Sequence, residues 1–214
     1  MSISVLMNRG TLLASSGSGV ERVTVAKSST SSAALANPSL LNPKDGGDKN
    51  TVQVVVETPK GSRNKYAFDA QKRVFILKKV LPAGMAFPYD FGFVPSTRAE
   101  DGDPVDVLVL MDEPAFSGCV LTCRLIGVIE GEQSDGKKAN KKIRNDRLVA
   151  VEQGNHSYAA IKHIDDLGKH FVRELEEFFV DYHQLSGTQY AVLDVRGPRE
   201  ARRRLRDGRT KRTR

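Results

Sequence analysis

Residues 99–114 read AEDGDPVDVLVLMDEP, and the reading of this stretch decides the rest of the chain. Asp101, Asp103 and Asp106 set three negative charges around Gly102 and Pro104, directly before an aliphatic run. Like charges this close repel one another unless a cation lies between them. Asp-Gly and Asp-Pro pairs also mark ordinary solvated turns, so the aspartates alone leave both readings open. The run after them, DVLVLM, reads as a strand.

Working outward, TVQVVVETP (51–59) and KYAFDAQKRVFILKKVL (65–81) are rich in β-branched and aromatic residues and are broken by Pro59, Gly61 and Pro82. GCVLTCRLIGVIEGEQ (118–133) and RLVAVEQ (147–153) continue the series. Five or more short strands at close spacing predict a small barrel. PAGMAFPYDFGFVPST (82–97), with its prolines, glycines and four aromatic rings, predicts an ordered loop packed by those rings rather than a regular element. In IDDLGKHFVRELEEFFVDYHQL (164–185) the period changes: Phe171, Leu175, Phe178, Phe179, Tyr182 and Leu185 recur at helical spacing. That pattern predicts an amphipathic helix on the barrel, capped by Asp165 or Asp166 and ended by Gly187.

The net charge of +7 is unevenly spread. Residues 196–214 carry ten Lys or Arg against Glu200 and Asp207, a net of +8, which leaves −1 for the other 195 residues. The basicity is therefore read as belonging to an Arg-rich tail and not to a nucleic-acid-binding domain. Three segments are expected: 1–48, Ser/Ala/Gly-rich and disordered; 49–195, the barrel domain; and 196–214, the tail. The N-terminal composition has a faint organelle-transit flavour, but such composition is also ordinary low complexity, and a cytoplasmic protein is expected. Cys119 and Cys123, without a CxxC or a second pair, read as reduced thiols in a strand. No stretch reaches the roughly twenty apolar residues that span a bilayer.

Hard cations such as Mg²⁺ take oxygen ligands, keep several waters and are bound through one or two carboxylates plus substrate phosphates. The D-x-D-x-x-D spacing suits that chemistry. Arg63, Lys65, Lys78, Lys79, Arg144 and Arg147 lie at strand ends that a closed barrel can gather. Each alone reads as a solvated charge; beside an acidic turn they describe a site for a metal-bound phosphate.

ETPKGSRNKY, FPYDFGFVPST, DGDPVDVLVL and EEFFVDYHQL stand here in the order in which soluble inorganic pyrophosphatases carry them. The chain resembles that Mg²⁺-dependent family over roughly residues 50–190. The resemblance implies a mainly β, α+β fold: a five-stranded, OB-like closed barrel with flanking helices, the long C-terminal amphipathic helix among them. It implies hydrolysis of inorganic pyrophosphate to two phosphates, with Mg²⁺ as the ion and Mn²⁺ as a substitute. Asp101 and Asp106 correspond to metal ligands, Asp106 bridging two ions, and Asp103 to the group that orients and deprotonates water. Glu57 matches an accessory metal-site carboxylate, and Lys65 and Tyr182 match phosphate-holding groups. Lys79 and Arg147 fall at further substrate-binding positions.

The departures fall at the same site. Ala67 stands where the family commonly has a carboxylate, Lys79 for an arginine, Phe91 for a tyrosine and His183 for a lysine. A gapless alignment of RLVAV puts Asn145 and Arg147 at the places of a metal-binding Asp and a Lys. Two readings compete: a one-residue bulge returns Asp146 to the metal, which is preferred, or Asn145 takes the ligand position. Glu132 and Asp135 are candidates for a further acid. The second reading of function is a weakened relative acting as a pyrophosphate- or nucleic-acid-binding module. A homo-oligomer without membrane contact is expected, with weak nonspecific contact between the Arg-rich tail and nucleic acid.

Overall fold

The computed structural model describes residues 6–8, 11–16, 19–21, 37–44, 51–135 and 142–209, the first three stretches and Asp135 by backbone alone. The chain divides into two compact units, Met1–Leu35 and Ala36–Arg214. In the first, β1 (Leu6–Asn8), β2 (Thr11–Ser16) and β3 (Gly19–Glu21) pair antiparallel in that order. The expectation of a disordered 1–48 is corrected at these strands and at the 3-10 turn Pro38–Leu40, where the Asn37 side chain accepts the Ser39 N–H at 3.1 Å. The remainder of that expectation lies outside the described residues.

The second unit contains β4 (Thr51–Thr58), β5 (Asn64–Asp69), β6 (Val74–Val80), β7 (Asp90–Phe93), β8 (Asp106–Leu110) and β9 (Val120–Asp135). β10 (Lys142–Arg144), β11 (Arg147–Glu152), the helix α1 (Lys169–Gln184), β12 (Thr188–Arg196) and the helix α2 (Pro198–Asp207) follow. Five strands close on themselves, because β9 pairs β11, β11 pairs β8, β8 pairs β7, β7 pairs β4 and β4 returns to β9. This ring is the expected barrel. At 16 residues β9 is long enough to continue past the ring, where β10 and β12 join it.

The runs in β8 and β11 do not alternate with polar residues because both faces of each strand are buried. Val107, Val109, Leu148 and Ala150 share a core with Val52, Val54, Leu121 and Leu125. Leu108, Leu110, Val149 and Val151 turn the other way and meet Ile164, Leu175 and Phe179. Leu175 and Phe179, four residues apart, are each 2% exposed, so α1 covers the ring with one face.

Several elements differ from their sequence reading. The stretch 82–97, read as a loop, contains β7, whose Gly92 lies so close to β4 that a Cβ would meet the Val55 oxygen at 2.0 Å. β5 and β6 form a separate hairpin outside the ring. Cys119 precedes β9; both cysteines are free. Asp165 and Asp166 do not cap α1. They belong to a 3-10 turn, Ile164–Leu167, capped by His163, and Gly168 at φ +82° separates it from the helix.

The Arg-rich segment is not a solvated tail over its described residues. Its first residue, Arg196, ends β12, and α2 buries Ala201 at 0% and Leu205 at 8% exposure in the same core as Val128 and Val105. Among the described residues no helix is long and apolar enough to cross a membrane.

Candidate active site

The acidic turn is built by backbone bonds. The Ala99 N–H donates to the Asp103 carbonyl at 2.7 Å and the Gly102 N–H to the Ala99 carbonyl at 3.1 Å. Gly102 takes φ +95°, a left-handed conformation that a side chain resists. The Asp103 N–H in turn donates to Asp101 Oδ1 at 3.1 Å. Asp106 opens β8, so the ring itself fixes it while Asp101 and Asp103 ride on the turn.

A cleft of about 550 Å³ gathers these three aspartates with Glu57 of β4, Lys65 of β5, Lys78 and Lys79 of β6, Arg147 of β11, and Tyr182 and His183 of α1. Glu57 is 9% exposed and both its carboxylate oxygens are engaged. Oε2 receives Lys65 Nζ at 3.1 Å and Oε1 the Phe68 N–H at 2.8 Å. Lys65 Nζ also lies 4.2 Å from the centre of the Phe91 ring, so phenylalanine acts there as a cation-π floor. Lys79 Nζ lies 3.6 Å from the Tyr182 ring centre and donates to Ser186 Oγ. Burial, with Lys65 beside it, lowers its ammonium pKa.

The carboxyls are poised for a cation. Burial, reinforced by Glu57 and Asp101 and opposed by Arg147 and Lys65, pushes Asp106 up to about 6. Burial and the Asp103 charge raise Asp101. Burial pushes the Tyr182 hydroxyl up to about 12, which keeps it a hydrogen-bond donor at neutral pH. His183 is 7% exposed, stacks on Tyr190 with centroids 4.9 Å apart, and is held down to about 3 by burial and by Arg147 and Lys79.

Asp146 is the main correction. It does not line the cleft; Asn145 does. The Asn145 N–H donates to the Gly131 carbonyl at 2.8 Å, and the register shift between β11 and β9 falls further on, between Val149 and Ala150. No bulge therefore turns Asp146 inward, and the alternation of strand residues leaves Asn145 and Arg147 on the cleft side. Asp146 faces α2 instead, accepting from Arg144 Nε at 2.6 Å, from the Gly131 N–H at 3.1 Å and from Arg204 Nε at 3.2 Å.

Glu132 is also outside the cleft, paired with Lys142, and the side chain of Asp135 lies outside the described residues. Arg63 donates to the Leu81 carbonyl and Arg144 joins the Asp146 cluster, so neither lines the cleft. Gln133, missed in the sequence, reaches the cleft and its Oε1 accepts from Asn145 Nδ2 at 2.6 Å. Period-2 counting along β9 holds no signal for it, because β9 changes partners along its length.

The donors facing the cleft are oxygens, which suit a hard divalent cation. Among the described residues no three His, Cys, Asp or Glu side chains stand together as a closed metal cage. An ion of the Mg²⁺ type does not need one, since it takes one or two carboxylates, waters and substrate oxygens. The residues present fit such an ion.

The family model described as inorganic pyrophosphatase matches residues 54–212, beyond the end of the sequence resemblance and through α2. An inorganic pyrophosphatase of Synechocystis is 42% identical over 142 residues, covering 66% of this chain and 80% of the relative. One from Nostoc is 40% identical over 151 residues, covering 71% and 83%. The crystal structure of inorganic pyrophosphatase from Thermus thermophilus superposes with a TM-score of 0.72 at 32% identity, covering 80% of this chain and 95% of that one.

Proposed function

This chain belongs to the inorganic pyrophosphatase family, and from that premise we propose how its cleft hydrolyses pyrophosphate to two phosphates. The observation that carries the reading is the convergence of Glu57, Asp101, Asp103 and Asp106 with Lys65, Lys79, Arg147 and Tyr182 on one cleft. The family is metal-dependent, and the ion proposed here is Mg²⁺, with Mn²⁺ as a substitute. Asp101, Asp103 and Asp106 hold it, with Glu57 as an accessory group. When bound, the cation neutralises phosphate charge and acidifies water.

The chain's own residues supply the rest. Lys65, Lys79 and Arg147 hold phosphate oxygens, and the protonated Tyr182 hydroxyl donates to another. Asp103, exposed on its turn, accepts the proton of the attacking water as the new P–O bond forms. The bridging P–O bond breaks and its electron pair leaves with the second phosphate. Positioning and charge stabilisation carry most of such a reaction.

The test is phosphate release from pyrophosphate with and without Mg²⁺ or Mn²⁺, beside nucleotide and phosphomonoester substrates. Metal-dependent release selective for pyrophosphate is expected; its absence overturns the reading. The same proposal includes a homo-oligomer, supported by the exposed apolar side chains Leu77, Val80 and Phe116. It also includes weak nonspecific nucleic-acid contact, supported by the exposed Arg199, Arg203 and Arg206 on α2.

A further inference from the structure

A second cavity lies where β12 turns into α2, and it shares no lining residue with the cleft. It holds about 590 Å³ and is lined by Arg196, Arg199, Arg202, Arg203 and Arg204, with Glu130, Glu200 and His163. Five guanidiniums against two carboxylates leave these side chains at a net +3 with the imidazole neutral. Glu130 receives Arg144 at 2.9 Å and Arg204 at 2.7 Å, and Glu200 receives Arg203 at 2.6 Å and Arg204 at 3.1 Å. The exposed Arg199 has no acidic partner among the described residues.

The helix puts the excess charge on one side. Ala201 and Leu205 are buried, so α2 turns its opposite face outward, and at about 100° per residue Arg199, Arg202, Arg203 and Arg206 fall together on that face. Like charges three and four positions apart repel along a helix. An anion laid along the stripe relieves that repulsion, and each guanidinium can grip two of its oxygens at once. From Arg199 to Arg206 the helix rises roughly 10 Å, which two linked phosphate tetrahedra do not span and a longer chain does. Gly197 shapes the other end: a Cβ there would lie 2.0 Å from His163 Nε2, so only a bare backbone lets the imidazole join the cavity wall.

We propose that this cavity, with the arginine stripe leading from it, is a binding site for a linear condensed phosphate of three or more units. The site is separate from the cleft and binds its ligand through guanidinium contacts to successive phosphates.

The experiment is calorimetric titration of the full chain with tripolyphosphate, in chelator and without divalent cations, so that hydrolysis does not obscure binding. Wild type is expected to bind tripolyphosphate at least about fivefold more tightly than pyrophosphate. Arg199→Gln combined with Arg203→Gln is expected to raise Kd by about tenfold or more. Both arginines are exposed, and circular dichroism checks that the double variant is folded. Lys44→Gln combined with Lys72→Gln removes the same charge from exposed positions elsewhere, and Lys79→Gln removes a cation from the cleft. Each is expected to leave Kd within about twofold. A Kd that rises equally in both double variants, or that rises with Lys79→Gln instead, overturns the proposal. So does pyrophosphate binding as tightly as tripolyphosphate, or no binding of either. A single-stranded oligonucleotide of equal charge that competes at the same concentration also overturns it, because the stripe is then a nonspecific polyanion face.

Discussion

Arg204 of α2 reaches Asp146, the residue just before β11, at 3.2 Å, on the side opposite to the one that carries Asn145 and Arg147. The pair belongs to a cluster in which Arg204 also meets Glu130 at 2.7 Å and Arg144 meets Glu130 at 2.9 Å. The end of the same helix touches the acidic turn, because the Arg98 N–H donates to the Gly208 carbonyl at 2.6 Å. One helix thus braces both halves of the cleft from behind.

Arg204→Met is expected to leave Glu130 and Asp146 partly buried and short of a cation, at a cost of about 2–3 kcal/mol. Urea denaturation reads the loss, and kcat/KM for pyrophosphate is expected to fall with it as β11 loosens. Truncation after Val195 is expected to be more severe, since burying one aliphatic side chain such as Leu205 contributes roughly 1.5–3 kcal/mol and Ala201 goes with it. A folded, fully active truncation would show that α2 braces nothing.

His183 makes stability depend on pH. Its folded-state pKa is depressed from the ordinary 6.5 to about 3, so the unfolded chain takes up a proton that the folded chain refuses. Stability is complete above about pH 6.5 and is lost as pH falls toward 3, by up to about 1.4 kcal/mol per unit. Asp106, raised to about 6, works with the opposite sign, gaining stability as pH falls through that value. Comparison of wild type with His183→Gln at each pH isolates the imidazole. A difference between the two that does not change between about pH 7 and pH 5 would contradict the assignment.

Asn145→Asp adds a carboxylate on the cleft side that competes with Asp106 for Arg147. The Mg²⁺ concentration for half-maximal rate is expected to fall by about threefold or more. Asp146→Asn is expected to leave that concentration unchanged and to lower the urea midpoint instead. Mg²⁺ titrations of the two variants check this, and the reverse pattern would return Asp146 to the metal.

Gly102→Ala tests the turn. At φ +95° a Cβ is strained even though its nearest neighbour, Arg98 NH2, is 3.7 Å away. A stability loss of about 1–2 kcal/mol is expected, with weaker Mn²⁺ binding as Asp101 and Asp103 shift. Unchanged Mn²⁺ affinity would show that the turn conformation does not set the ligands.

By itself the sequence determined what is local: the acidic turn, with a glycine where φ must be positive, the β-rich runs that close a ring, and the apolar period of α1. Order along the chain also sufficed to identify the family, because DGDPVD and its companions are contiguous. Tertiary structure decided what depends on pairing between distant strands. A single residue of register separates Asn145 from Asp146, and because strand side chains alternate, that one step exchanges the cleft for the α2 side. RLVAV carries no mark of where its bulge lies; its pairing with β9 does. In the same way an Arg-rich stretch reads as solvated in sequence, whereas Ala201 and Leu205 become core only because Leu125 and Val128 of β9, with Val105, share an apolar cluster with them. The contact of Arg147 with Asp106 joins two strands forty-one positions apart, and parallel pairing of β11 with β8 is what brings them together.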